Sequence, residues 1–390
     1  MRENVQDLTI IGGGVMGLFT AYYASYFTPS ITILEKSTIG DKMTASFGYT
    51  RSVRNDYIDP EYARLAYEAR HLWLDFQRAA SEPCLIECGC LNLAAARVTP
   101  QMAETYAIKS FQTLTDLHLK IEEFDQQALS QRFPQFVADL GRLDAEAGFM
   151  YLPAVTQTLV AAMRARHVQI VENVQVESLE SQHDIVHIRT NTGTYSTSKL
   201  VITAGHGTND VLQQLGSSLH FPIQPDRPSQ CKYFIPPASK RAQFTSDALP
   251  VFAYLDVGVY GHPIYEGKTP GVKIGFYNPP DITPLKTQIT DVHSFVAECM
   301  PELQDAEAVD VKDVDQCFYD LVADDNFIMG GIPQFENVYV GVGWRGTGYK
   351  YAPWVGKVLM QLALQEGTVY DIKRFNPARF VGSQKQVAHV

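Results

Sequence analysis

A mixed α/β protein built from two sequence-discontinuous domains is the fold this sequence predicts, on three observations. The 390-residue chain opens as strand, glycine turn, helix, strand (Leu8–Ile11, Gly12–Gly17, a helix to about Phe27, Ile31–Leu34). It closes on another strand, glycine turn and helix (Asn337–Gly343, Gly346–Gly348, Pro353–Leu364). Between these ends, residues 218–318 carry prolines from Pro222 to Pro280 among short β-like segments such as Val251–Leu255 and Val272–Phe276, the texture of a sheet with long loops. With 45% hydrophobic and 19% charged residues the chain is too long for one ordinary core and too apolar for disorder.

The opening segment is the dinucleotide fingerprint in the context it requires. Gly12 permits the tight turn, Gly14 lets the backbone, with Val15 and Met16, approach a pyrophosphate, and Gly17 allows the helix to close on the strand. The helix N-terminus offers N–H donors to the anion. Glu35, ending the second strand beside Lys36, is placed to accept from ribose hydroxyls. These residues point to a nucleotide cofactor on a Rossmann-like domain, NAD and FAD both open.

A helix is expected after Asp59-Pro60-Glu61, where Tyr62, Leu65, Ala66, Ala69, Leu72, Trp73 and Phe76 recur at helical spacing. Leu85–Ala96 reads as extended, Pro100–Leu117 and Asp125–Phe133 as helical, and a further helix is expected over Thr156–Arg166. Alternating strands follow between Val168 and Ile188, then a buried-type strand Leu200–Thr203 ending in Ala204-Gly205. Cys84, Cys88 and Cys90 crowd into CLIECGC, but no second Cys or His cluster joins them at ligand spacing, so they are expected to be core residues, with Cys88 and Cys90 on one strand face and no metal bound.

Taken together, the order of motifs resembles the D-amino-acid-oxidase-like flavoproteins, and within them the monomeric sarcosine oxidase and N-methyltryptophan oxidase group. The resemblance spans nearly the whole chain. It rests on the N-terminal fingerprint, Thr50-Arg51-Ser52-Val53-Arg54, Leu200–Gly205, Cys317-Phe318-Tyr319 upstream of Asp325-Asn326-Phe327-Ile328, and Gly346-Thr347-Gly348-Tyr349-Lys350. It implies FAD as cofactor, attached through a thioether from Cys317. It adds Thr50, Arg51, Ala204, Gly205, Gly346, Thr347, Gly348 and Lys350 to the cofactor contacts, Arg51 lying close to the flavin. Arg54 and Lys350 are implied to hold a substrate carboxylate, a role suited to a bidentate fork and a point charge. Lys273, a charge inside an apolar strand, is implied to lie over the flavin and promote reaction with O₂, while Tyr319 and Tyr260 are implied to line the substrate pocket. Two departures mark the chain: the family's histidine a few residues after the lysine is absent, with Phe276 and Tyr277 nearby, and Phe47 stands near the position of a second family histidine.

The resemblance assigns residues 1–85, 141–217 and 319–390 to the FAD-binding domain and 86–140 and 218–318 to a β-rich substrate domain, with the isoalloxazine where the two meet. The expected activity is oxidation of a secondary or cyclic amino acid to an imine by transfer of hydride to FAD, with O₂ reduced to H₂O₂. The alternative is a dehydrogenase of the same fold that passes electrons to a protein or quinone. A formal charge of −11 disfavours nucleic acid or an anionic membrane as partner. No apolar stretch nears ~18 residues, and MRENVQDLTIIGGG enters a strand directly, so a cytoplasmic enzyme with a small-molecule substrate is expected, and the resemblance implies a monomer.

Overall fold

The computed structural model describes residues 5–98, 106–225, 230–276, 289–311, 319–365 and 367–382. The chain divides into two compact units, Met1–Phe47 with Thr156–Arg227 and Cys317–Val390, and Gly48–Val155 with Pro228–Gln316. Among the described residues no helix is long and apolar enough to cross a membrane.

The first unit is built on a sheet whose parallel centre runs Gln169–Val171, Ile31–Leu34, Val5–Ile11, Gly193–Ile202 and Phe335–Val342. Registers such as Leu8↔Ile31 and Leu200↔Val338 stack apolar residues, giving the near-continuous hydrophobic runs of strands buried on both faces. An antiparallel extension, Val176–Gln182 and Ile185–Thr190, pairs with the first half of Gly193–Ile202. The opening helix is shorter than expected, Val15–Ala24. The final helix, Ala352–Leu364, lies directly on it: a Cβ at Gly356 would stand 2.6 Å from the carbonyl carbon of Phe19.

The second unit contains an eight-stranded sheet in the order Glu307–Asp310, Gln230–Ile235, Val272–Phe276, Val259–His262, Val251–Tyr254, Cys90–Ala94, Leu140–Asp144, Ile121–Asp125. Every neighbouring pair is antiparallel except Val251–Tyr254 with Cys90–Ala94. Phe234, Phe244, Phe252, Phe295 and Ile274 belong to its core. A separate three-stranded sheet orders Thr50–Val53, Gly148–Tyr151 and Leu85–Ile86. The helix Pro60–Gln77 starts as expected, capped by Asp59, whose carboxylate accepts from Glu61 N–H.

Segments 48–85 and 141–155, expected with the nucleotide-binding domain, cluster in the second unit. The cause is strand pairing: Thr50–Val53 and Leu85–Ile86 both pair with Gly148–Tyr151, and Leu140–Asp144 pairs with Cys90–Ala94. Segment 218–227 moves the other way, because Ile223–Pro225 pairs with Asp320–Val322. The cysteine segment also departs from expectation. Gly89 takes φ +81° and breaks the extended run, so Leu85–Ile86 and Cys90–Ala94 enter different sheets and Cys88 and Cys90 share no strand. Burial raises the Cys88 thiol to about 12 and the Cys90 thiol well above its ordinary value, which keeps both as thiols. Among the described residues no cluster of His, Cys, Asp or Glu is arranged to hold a metal.

Candidate active site

In the first unit the glycine turn is close-packed. Gly12 holds φ +105°, and a Cβ there would overlap the Thr203 carbonyl oxygen and lie 2.7 Å from its carbon. A Cβ at Gly17 would overlap Gly12 O and stand 2.7 Å from Thr203 Oγ1. Thr203 N–H donates to Ile11 O at 2.9 Å, which sets Ala204 and Gly205 beside Gly12. Gly14 is the N-cap of Val15–Ala24 in extended conformation and has no side chain of its own to cap the helix, and there is no acid in the first turn. The Val15 N–H donates to Ser46 Oγ at 2.9 Å. Glu35 is buried, its Oε2 accepting from Gly13 N–H at 2.6 Å and its Oε1 from Ser37 N–H at 2.9 Å. Two backbone donors therefore orient the carboxylate and leave it further lone pairs. Lys36 is exposed.

The second glycine turn of the same unit follows Phe335–Val342. Gly343, Arg345 and Gly346 take φ of +77°, +57° and +66°, reversing the chain before the turn Gly348–Tyr351 and the final helix. The ring of Tyr319 fills the space above Gly346, where a Cβ would lie 2.7 Å from its Cε1. Gly348 lies near Met16, whose Cε would be 3.2 Å from an added Cβ, so the two glycine turns meet. Thr347 N–H donates to Trp344 O at 3.0 Å, and Lys350, buried, donates from Nζ to Thr347 O at 3.0 Å. Cys317 lies outside the described residues.

Asp320 was not singled out from sequence. It is buried, its Oδ2 accepts from Gly343 N–H at 2.9 Å, and its carbonyl accepts from Arg345 N–H at 3.2 Å, tying Asp320–Val322 to the turn. Burial raises its carboxyl to about 6, against the backbone N–H groups that favour the charged form.

In the second unit, one sheet face gathers most of the remaining candidates. Tyr233, Lys273 and His262 are directly opposed across three strands, and Tyr260 is opposed to Gly275 with its ring over the glycine, the Cζ 2.6 Å from an added Cβ. Lys273 is buried, and its Nζ donates to the Thr50 carbonyl at 3.2 Å. Arg51 Nη1 donates to the same oxygen at 3.0 Å. Two cations thus converge on one peptide carbonyl. Tyr49 meets Tyr233 edge to face at 6.1 Å. Arg54 is also buried, but its Nη1 donates to the carboxylate and the carbonyl of Asp56, each at 2.8 Å, and its guanidinium lies 4.9 Å over the Tyr57 ring. Burial works against the Arg54 charge, and Asp56, Tyr57 and Tyr106 outweigh it, raising the group above its ordinary value. Asp56 Oδ2 in turn accepts from Asn92 at 3.0 Å.

The sequence matches the family described as FAD dependent oxidoreductase (DAO) over residues 7–362. The chain belongs to that family. Among its relatives are the human peroxisomal sarcosine oxidase, 28% identical with 97% of each chain covered, and the N-methyl-L-tryptophan oxidase of Salmonella dublin, 28% identical over 96% of this chain and 99% of the relative. The monomeric sarcosine oxidase of Arthrobacter sp. is 24% identical over 97% and 98%. Of solved structures, L-proline dehydrogenase from P. horikoshii shares the fold at a TM-score of 0.80 with 17% identity, covering 97% of this chain and 98% of that one.

The first unit of this FAD dependent oxidoreductase fits its cofactor. The tight packing of Gly12 and Gly17 against Thr203 leaves no room for side chains there, the N-cap Gly14 has no side chain to stand between a ligand and the turn, and Glu35 is held at the strand end with acceptor capacity to spare. The structure brings Gly12, Gly14, Val15, Met16, Gly17, Glu35, Ala204, Gly205, Tyr319, Gly346, Thr347, Gly348 and Lys350 into one unit. It brings Thr50, Arg51, Arg54, Tyr260 and Lys273 into the other. Two further residues of that second unit are not marked by the sequence reading. Asp56 could have been found as an acid two residues from Arg54. His262 could have been found by its spacing, two residues after Tyr260 on a strand of the same sheet as Lys273.

Proposed function

We propose that this FAD dependent oxidoreductase is an oxidase of secondary or cyclic amino acids, the N-methyl amino acids and imino acids, using O₂ as electron acceptor. When bound, FAD supplies the two-electron acceptor for the substrate C–H bond and returns those electrons to O₂. In balance, the amine loses two electrons and two protons to become an imine, and O₂ takes up both to become H₂O₂. What supports an oxidase is the anchoring of Lys273 and Arg51 on the Thr50 carbonyl, which would let two preorganised positive charges meet charge that develops during electron transfer without reorganisation. The names of the relatives, sarcosine oxidase and N-methyl-L-tryptophan oxidase, supply the substrate class.

In this proposal Gly12, Gly14, Val15, Met16 and Gly17 receive the pyrophosphate, and Glu35 and Lys36 the adenosine side. Ala204, Gly205, Gly346, Thr347, Gly348 and Lys350 complete the cofactor contacts, Thr50 and Arg51 add to them, and Cys317 carries the covalent bond. Lys350 offers its charge to the substrate carboxylate. Arg54 is the second candidate for that role, through guanidinium edges other than the Nη1 that serves Asp56. Tyr319 and Tyr260 offer apolar faces to the substrate.

The test is a visible spectrum of the purified protein before and after acid precipitation, for wild type and Cys317→Ser, followed by an amine screen that reads H₂O₂. Yellow precipitate from wild type, free FAD from the variant and peroxide with an N-methyl or cyclic amino acid are expected. Flavin that reoxidises slowly in air but rapidly with a dye would replace the oxidase with the dehydrogenase.

A further inference from the structure

His262 stands directly across from Lys273 in the sheet and is nearly inaccessible to solvent. Thr50 Oγ1 lies 2.7 Å from its Nδ1 and Ser52 Oγ 2.7 Å from its Nε2. Phe149 stacks on the ring at 6.1 Å and 12°, and the Tyr260 ring lies 5.7 Å away. With a hydroxyl at each nitrogen, a neutral imidazole donates to one and accepts from the other, so both of its polar atoms are used. Thr50 and Ser52 are two apart on one strand and therefore share a face, so a single ring pins both.

The residue between them is Arg51, and the peptide joining Thr50 to Arg51 carries the carbonyl that receives Lys273 at 3.2 Å and Arg51 at 3.0 Å. That strand is the edge of its three-stranded sheet, with Gly148–Tyr151 as its one strand neighbour among the described residues. Ladder hydrogen bonds restrain it from one side, and the imidazole adds the restraint from its side chains. A carbonyl is a well-aimed acceptor only when its peptide plane is held, and the His262 ties to the hydroxyls of Thr50 and Ser52 flank that plane.

We propose that His262 is a positioning residue for the oxygen-reacting step: it fixes the Thr50 carbonyl and thereby the charges of Lys273 and Arg51. This rests on the proposal above that Lys273 promotes reaction with O₂. The combination of Ser52 and His262 is what allows the tie, since neither an aliphatic residue at 52 nor an aromatic hydrocarbon at 262 could form it.

The holoenzymes of wild type, Lys273→Met, His262→Phe, His262→Gln and Ser52→Ala are photoreduced with EDTA, mixed with O₂, and followed by flavin absorbance. The flavin midpoint potential is measured for each by dye equilibration. Lys273→Met is expected to slow reoxidation most and to lower the potential. His262→Phe is expected to do both in smaller measure, with reoxidation slowed about ten- to a hundredfold, the scale on which small misplacements act. His262→Gln, which keeps a donor and an acceptor, is expected to recover most of the loss. If Lys273→Met is impaired while His262→Phe reoxidises and equilibrates like wild type, the role of His262 is overturned and that of Lys273 stands. If Lys273→Met itself behaves like wild type, the reading of Lys273 fails and the role of His262 falls with it. Should His262→Phe fail to fold, Ser52→Ala carries the test: unchanged rate and potential there, with Lys273→Met impaired, overturn the tie.

Discussion

Three glycines of the N-terminal turn separate folding from cofactor binding, because the space around each is different. At Gly17, inside the helix Val15–Ala24, alanine should gain about 1 kcal/mol of helix propensity. Its Cβ would overlap the Gly12 carbonyl oxygen and stand 2.7 Å from Thr203 Oγ1, so helix and strand must part, an overpacking cost of about 1–3 kcal/mol or more. The steric cost wins because the nearest obstruction is backbone in a turn that is itself pressed on Thr203. At Gly14 an added Cβ would meet only Ser46 Oγ, at 3.2 Å, and φ is −67°, so alanine should leave stability within about 0.5 kcal/mol. At Gly13 it would overlap the Cδ1 end of Ile39, a side chain able to turn aside, and press on Glu35 Cβ and Oε2 at 3.2 Å. The assay is thermal unfolding of apoprotein from riboflavin-limited cells, with FAD binding read by flavin fluorescence. Gly17→Ala should lose both stability and FAD. Gly14→Ala should keep stability and lose FAD affinity, since the methyl group would intrude where the backbone approaches the pyrophosphate. Gly13→Ala should fall between the two in stability, since Ile39 can turn aside but the Glu35 side chain must also give. A Gly17→Ala protein as stable as wild type would refute the packing argument, and a Gly14→Ala protein with undiminished FAD affinity would refute the assignment of the pyrophosphate to this turn.

Asp320, raised to about 6 by burial, holds its proton in the folded state between about pH 4 and 6, where the unfolded chain has lost it. Its contribution therefore falls as pH rises through that window, and Asp320→Asn, which can still accept from Gly343, should gain stability relative to wild type by up to about 3 kcal/mol between pH 4 and 7; denaturant midpoints at the two pH values check it. Arg54→Met leaves the Asp56 carboxylate buried without its cation and should cost about 3–5 kcal/mol, much of it recovered by adding Asp56→Asn. An additive double mutant in chemical denaturation would deny that the two act as a pair.

What the sequence disclosed follows the range of the interactions involved. The fingerprint is a local device: Gly12, Gly14 and Gly17 are needed within six residues of one another, Glu35 follows at the end of the next strand, and all four were legible because turn, helix and strand patterns coincide there. The final turn at Gly346–Gly348 was legible for the same reason. The division of the chain was not, because it turns on short strands paired across some hundred positions: Thr50–Val53 with Gly148–Tyr151, each only four residues long, carry too little periodicity to announce a partner. Nor could CLIECGC show that Gly89 would adopt a left-handed conformation and send its two halves to different sheets. A resemblance transfers only what its family shares. It points to Lys273 and to the absence of a histidine just after it, whereas His262 lies across the sheet from Lys273, eleven positions earlier in sequence and directly opposite in register. Its partners Thr50 and Ser52 are over two hundred positions away, and the tie exists only once the edge strand has been delivered to it. That tie is thus visible as chemistry only in three dimensions, and it falls on the strand whose Thr50 carbonyl receives both Lys273 and Arg51.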